Sequence, residues 1–105
     1  MAVDELPIQL KHNYFNNLVN QFFKILPMKE DGEPSLGEYM NSLLLELIGS
    51  TGVMAELNYD SMFMSLIVTL QYLIDNNPET AVVKREVFKS ITICKRLAKK
   101  YRFEV

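Results

Sequence analysis

"KREVFKSITICKRLAKKYRFEV", residues 84–105, closes the chain and decides how the rest of it is read. Stepped at 100° per residue, Lys84, Arg85, Lys89, Lys95, Arg96, Lys99, Lys100 and Arg102 fall within about 160° of arc. Val87, Ile91, Ile93, Cys94, Leu97, Ala98 and Tyr101 fill the opposite side, and Phe88 alone sits inside the basic arc. A 3.6-residue period that separates charge from apolar side chains is the signature of an amphipathic α-helix. Its apolar side needs a surface to pack on, so this segment is first of all one member of a helical domain.

The same period recurs upstream. Leu10, Tyr14, Phe15, Leu18, Val19, Phe22, Ile25 and Leu26 recur at three- and four-residue steps, which predicts a helix from about Pro7 to Leu26, ended by Pro27. "PMKEDGEPS" (27–35) is a turn-rich acidic loop, and "SLGE" (35–38) has the spacing of a capping box between Ser35 and Glu38. The next helix carries Leu36, Tyr39, Met40, Leu43, Leu44, Leu47 and Ile48 on its apolar side, and Gly49 is expected to stop it. "GSTGVMAELNYD" (49–60) has room for one helical turn near Val53–Leu57, with Asn58 or Asp60 as the cap of a third helix.

That third helix, from about Asp60 to Asp75, is apolar almost all round. Such a helix is either central in a bundle or covered by a second subunit. "DNNPET" (75–80) breaks it, and the last helix is expected from about Pro78 to Tyr101. "SLIVTLQYLI" (65–74) has strand-forming residue types, but no period-two alternation surrounds it. The expectation is an all-α single domain over residues 1–105, a compact bundle of four amphipathic helices, or five if the turn near Val53 is counted.

With 105 residues, 49% hydrophobic and 23% charged, such a domain holds a core without disulfides or metals. Starting at Met, the chain reads as a complete small protein. The single cysteine, Cys94, allows no internal disulfide, which fits a reducing compartment. The first ten residues, with Asp4, Glu5 and Pro7, lack the basic-then-apolar order of a secretory signal. The most apolar stretch, Met62–Ile74, is too short to span a bilayer. A cytoplasmic protein without a membrane role is expected. Frequent Asn and Lys with scarce Ala and Arg point to an AT-rich genome, bacterial or mobile-element.

Few residues suggest chemistry. Nucleophilic catalysis needs a base beside the nucleophile, and the chain offers only His12 and Cys94. His12 falls at the polar edge of the first helix and reads as a surface side chain; Cys94 falls on the apolar arc of the last and reads as a core residue. One His and one Cys make no structural zinc site, no Glu-x-x-His motif is present, and "EDGE" (30–33) lacks EF-hand spacing. Gly49 and Gly52 give a GxxG spacing, but the residues between them are Ser50 and Thr51 rather than bases, so a helix stop and loop is the simpler reading than a nucleic-acid clamp. No Walker phosphate loop occurs. Neither an enzyme nor a cofactor-binding protein is expected.

Charge is the clearest functional cue. The net charge is −2, but eight of the eleven Lys and Arg residues lie in 84–105, while the rest of the chain is acidic. Glu30, Asp31, Glu33 and Glu38 cluster in and after the first loop, a pattern suited to docking a basic protein. Asn13, Asn16, Asn17 and Asn20 gather on the polar side of the first helix, where Lys and Glu are more usual, and form a possible polar contact strip. Met40, Met54, Met62 and Met64 read as core gap-fillers.

Three functions compete. The first is a non-enzymatic protein-binding module, of the immunity or antitoxin-type inhibitor class that masks a toxin, using the acidic patch. The second is a nucleic-acid-binding protein using the basic arc of the last helix. The third is a self-assembling structural protein, a homodimer in its simplest form, with the third helix at the interface and opposite charges pairing between copies.

Overall fold

Four helices form close to where the period predicts them: α1 (Ile8–Glu30), α2 (Leu36–Val53), α3 (Ser61–Asn76) and α4 (Thr80–Arg102), in a computed structural model that describes residues 8–102. A 3-10 turn, Ala55–Tyr59, links α2 to α3 and supplies the extra turn expected near Val53. Short connections make each helix antiparallel to the next. α1 neighbours α2 and α4, and α3 neighbours the same two helices from the other side. The bundle is a rod of 47 × 21 × 20 Å.

The core is built from the helical stripes. Phe15, Leu18, Phe22 and Ile25 of α1 meet Leu43, Leu44 and Leu47 of α2, Phe63, Leu66 and Leu70 of α3, and Val87, Cys94 and Leu97 of α4 in one buried cluster. Each large apolar side chain of this kind contributes about 1.5–3 kcal/mol when fully removed from water. Phe15 stacks on Tyr101 at 5.2 Å and meets Phe63 edge-on at 6.3 Å, which ties α1, α3 and α4 together at one level. Met40 and Met54 are buried gap-fillers, Met62 is half-buried, and Met64 faces outward. Leu10 and Ile48, expected on apolar sides, are exposed at the edges of their stripes.

Four boundaries differ from the sequence expectation. α1 runs through Pro27 to Glu30. Pro27 is exposed, and the carbonyl it leaves without a helical donor is that of exposed Phe23, where water can take the donor's place. The helix ends instead at Gly32, whose φ of 66° lets Gly32 N–H reach Lys29 O at 3.1 Å and Glu33 N–H reach Met28 O at 2.9 Å. That is the paired closure of a Schellman motif.

The capping box does not form: Ser35 has φ −85° and ψ 3°, and its hydroxyl caps nothing. With the backbone already near-helical there, the side chain is not presented to the first-turn N–H groups. α2 passes through both Gly49 and Gly52 to Val53, so there is no GxxG loop. Ser50, buried between the glycines, donates to Glu46 O at 2.9 Å and accepts from the Tyr14 hydroxyl, and buried Met54 comes soon after, so packing carries the helix past two poor helix formers. α4 starts at Thr80, after Asn77 takes a left-handed φ of 41° and closes α3. Pro7, the expected first turn of α1, lies outside the described residues.

α3 is not central. Phe63, Leu66, Leu70 and Leu73 are buried, and Met64, Val68 and Tyr72 face solvent. Asp60 caps it as expected, accepting from Met62 N at 2.9 Å and Phe63 N at 3.2 Å.

Candidate functional site

The end of the rod that holds the α1–α2 and α3–α4 turns is acidic. Glu30, Asp31, Glu33 and Glu38 are all exposed there, and Asp75 and Glu79 join them from α3 and the turn after it. These last two are far from the first four in sequence, and only antiparallel packing brings them to one end. Between the two turns lies a cleft of about 350 Å³ lined by Met28, Glu33, Leu36, Met40, Leu73 and Ile74, among others. Its walls mix apolar Met28, Leu36, Met40, Leu73 and Ile74 with polar Lys29 and Asn77, and Glu33 is the carboxylate among the residues that line it. Lys29 is the base at this rim, and its ammonium donates to Asn77 Oδ1 at 3.1 Å, which ties the two turns to each other. No Lys or Arg occurs from residue 30 to residue 83, so α2 and α3 bring no cation to this surface.

The basic arc is exposed as expected. Lys84, Arg85, Lys89, Lys95, Arg96, Lys99 and Lys100 all stand outside the core; the side chain of Arg102 lies outside those described. Two of them are engaged. Arg85 Nε donates to Glu86 at 3.1 Å, and Lys100 Nζ donates to Asp60 Oδ2 at 3.0 Å. The other five have no ion-pair partner among the described residues.

The Asn strip of α1 lies beside this arc. Asn13, Asn16, Asn17 and Asn20 are exposed. Phe23 of α1 meets Phe88 of α4 edge-on at 6.4 Å, so the lone aromatic of the basic arc has an exposed companion that sequence alone did not place there.

His12 corrects the surface reading. Its Nδ1 lies 2.8 Å from Ala98 O, and a carbonyl only accepts, so Nδ1 carries the proton. Nε2 then accepts from the Asn16 amide at 3.0 Å. His12 is a half-buried tie between α1 and α4, and one member of the Asn strip serves to orient it.

The opposite end of the rod is held by two ion pairs, Lys11–Glu56 and Lys100–Asp60, whose members lie far apart in sequence. Lys11 is 8% exposed, donates to Glu56 at 2.8 Å, and lies over the Tyr101 ring at 5.4 Å. Lys100 approaches the same ring at 5.6 Å. The hydrogen bond from Lys11 holds the Glu56 carboxyl below the usual carboxylate range, against burial. Burial works to raise Asp60, but the bond from Lys100 and the two backbone N–H groups overcome it and hold Asp60 low. Lys11 stands four residues before Phe15, in register with the buried stripe, but its charge keeps it from being read as a core residue; its surroundings come from α4 and the 3-10 turn. Tyr59, on that turn, is 92% exposed and projects from this end.

Cys94 is buried, and burial pushes its thiol up to about 12, which leaves it protonated and unreactive at neutral pH. Burial likewise raises Tyr14 to about 12, against its bond to Ser50. Among the described residues no group of three His, Cys, Asp or Glu side chains is placed to hold a metal ion, and no helix is long and apolar enough to cross a membrane. Comparison of the chain with protein-family models, with curated proteins and with solved structures returns no match.

Proposed function

We propose that the protein acts by binding another protein through the acidic end of the bundle, as an inhibitor of the immunity or antitoxin type masks its target. One observation carries this reading. Exposed carboxylates from the α1–α2 loop, the start of α2 and the α3–α4 turn share one end of the bundle, where Glu33 lines a cleft together with Met28, Leu36, Met40, Leu73 and Ile74. Such a surface fits a partner segment that is basic with an apolar anchor: the charges speed encounter and the cleft supplies burial. No catalytic group is required. The test is association kinetics with a partner recovered from the source cells and purified. Changing Glu30, Asp31 and Glu33 to Lys should lower the association rate at least about tenfold at low salt, and much less at high salt. An association rate that does not change would remove this surface from the proposal.

The Phe23–Phe88 pair favours a second reading, in which the α1–α4 side binds nucleic acid by stacking and phosphate contacts. The five bases without an ion-pair partner among the described residues support it, as does the neighbouring Asn strip. Reversing Lys95, Arg96 and Lys99 to Glu should abolish binding to single-stranded DNA or RNA. Absence of any binding by the unaltered protein at low salt would end this reading.

A further inference from the structure

All eleven Lys and Arg residues of the chain lie on α1 and α4, and only two of its thirteen Asp and Glu residues, Glu30 and Glu86, lie there. These two neighbouring helices therefore carry a net charge of +9 in a chain whose total is −2. A field of one sign along one side of the rod draws anions to that side, whatever the charge of the whole.

The register of the pair orders these charges along its seam. His12 Nδ1 meets Ala98 O at 2.8 Å and the Phe23 ring meets Phe88 at 6.4 Å. The helices thus run antiparallel, with Asn16 level with Lys95 and Pro27 level with Lys84. On α4, Lys84, Phe88, Lys95 and Lys99 fall within about 60° of arc, on the flank that Phe88 turns toward α1. On α1, Asn16, Asn20 and Phe23 fall within a similar arc of about 60°, on the flank turned toward α4. All seven are exposed. Glu86 pairs with Arg85 on the opposite flank of α4, where both face α3. Glu30 lies about one turn beyond Lys84 and closes the seam at the acidic end of the rod.

We infer that this seam is a track for a single strand of nucleic acid, about four to six nucleotides long. One base stacks on the Phe23–Phe88 pair, and the phosphates to either side of it lie on Lys84, Lys95 and Lys99. Lys84 stands about 6 Å along the axis from the aromatic pair, and Lys95 about 10 Å from it on the other side. From Lys84 to Lys99 the track is about 22 Å long. That length takes roughly six phosphates at the stacked spacing of about 3.4 Å, and fewer when the strand is stretched. A base presents its face to the rings only when it is out of a duplex, whereas lysines alone would serve duplex and single strand alike. Asn20 has no hydrogen-bond partner among the described residues and stands one turn from Phe23, so its amide offers a donor and an acceptor to a base edge. A lipid surface would use the same lysines and rings but gives that amide no base edge and the track no fixed length. The track rests on the nucleic-acid reading of the α1–α4 side, and the acidic cleft takes no part in it.

The test uses the full chain and oligothymidylates of increasing length at low salt. Affinity should rise with length and level off at about six nucleotides, and a single strand should bind at least about tenfold tighter than a duplex of equal length. Oligouridylate in parallel separates an RNA ligand from a DNA one. The chain has no tryptophan, so F88W introduces a lone reporter whose emission should be quenched by the stacked base. F23A/F88A should weaken single-strand binding at least about tenfold without changing the salt slope. K95Q/K99Q should lower that slope by about 1.4, at about 0.7 per contacted phosphate. Circular dichroism checks that these exposed substitutions keep the fold, and F88W keeps an aromatic ring in place where F23A/F88A does not. Absence of binding by the unaltered protein removes the nucleic-acid reading of this side, and the track with it. Equal binding of duplex and single strand, or binding that F23A/F88A leaves unchanged, overturns the stacked strand alone and leaves a basic surface that holds phosphates. Tighter binding to anionic vesicles than to oligothymidylate gives the seam to a lipid surface and overturns the track as well.

Discussion

Asp60 joins two helices at one side chain, and its removal has a calculable cost. It caps α3 through Met62 N and Phe63 N, and it accepts from Lys100 of α4. Asp60→Ala removes both cap bonds, a change worth about 1–2 kcal/mol where the cap is well buried. The ion pair adds little, about 0.5 kcal/mol, because Lys100 is half-exposed and regains water when its partner goes. Unlike the removal of a partner from a fully buried charge, this change leaves no stranded ion. The expected total is about 2 kcal/mol, which lowers the melting temperature of a domain this size by roughly 8–15 °C. Asp60→Asn keeps an oxygen acceptor for the cap and loses only the charge, so it should cost under about 1 kcal/mol. Urea unfolding followed by circular dichroism measures both, with the denaturant slope unchanged. An Ala variant within about 0.5 kcal/mol of the parent would refute the capping argument. An Asn variant as weak as the Ala variant would show that charge, and not the cap, holds this junction.

The same geometry sets three further outcomes. Asp60 and Glu56 are both held below their ordinary values, 3.8 and 4.5, so each stabilises the fold above those values and that stability is lost as pH falls through the folded-state pKa. Melting temperature should therefore drop as pH is lowered below about 4.5, and E56Q/D60N should flatten the drop; an equal drop in the double variant would refute the assignment. Gly49→Ala and Gly52→Ala add a Cβ that meets nothing within 4 Å in a continuous helix, so each should stabilise by about 1 kcal/mol in urea unfolding; destabilisation would mean that α2 does not pass through them. The Ser90 hydroxyl is buried without a hydrogen-bond partner among the described residues, so Ser90→Ala should be neutral or stabilising by up to about 1 kcal/mol in the same assay, and a destabilisation of that size would reveal a partner.

The chain by itself determines the helices and the stripe each one buries. Periodicity is a local property, and the residues it marks, from Phe15 and Phe22 to Leu97, are the core. It also determines which charges lie on the outside of α4, because a single-signed arc opposite an apolar arc has only one way to pack. Local signals mislead where tertiary packing outweighs them. Pro27, Gly49 and Ser35 carry stop and cap signals worth about 1–3 kcal/mol each; at Gly49 the burial of Ser50 and Met54 overrides the signal, at Pro27 the freed carbonyl is exposed to water, and at Ser35 the near-helical backbone withholds the cap. Lys11 and His12 could not be read as interior ties, since their partners are Glu56 and Ala98, 45 and 86 residues away. The stripe of α3 shows the division most clearly. Composition leaves α3 either central or covered by another subunit, and the packing of the four helices buries Phe63, Leu66, Leu70 and Leu73 and turns Met64, Val68 and Tyr72 outward. A sequence specifies the faces of its helices, but which faces remain unburied, and which distant charges share an end, depends on the order in which the helices pack.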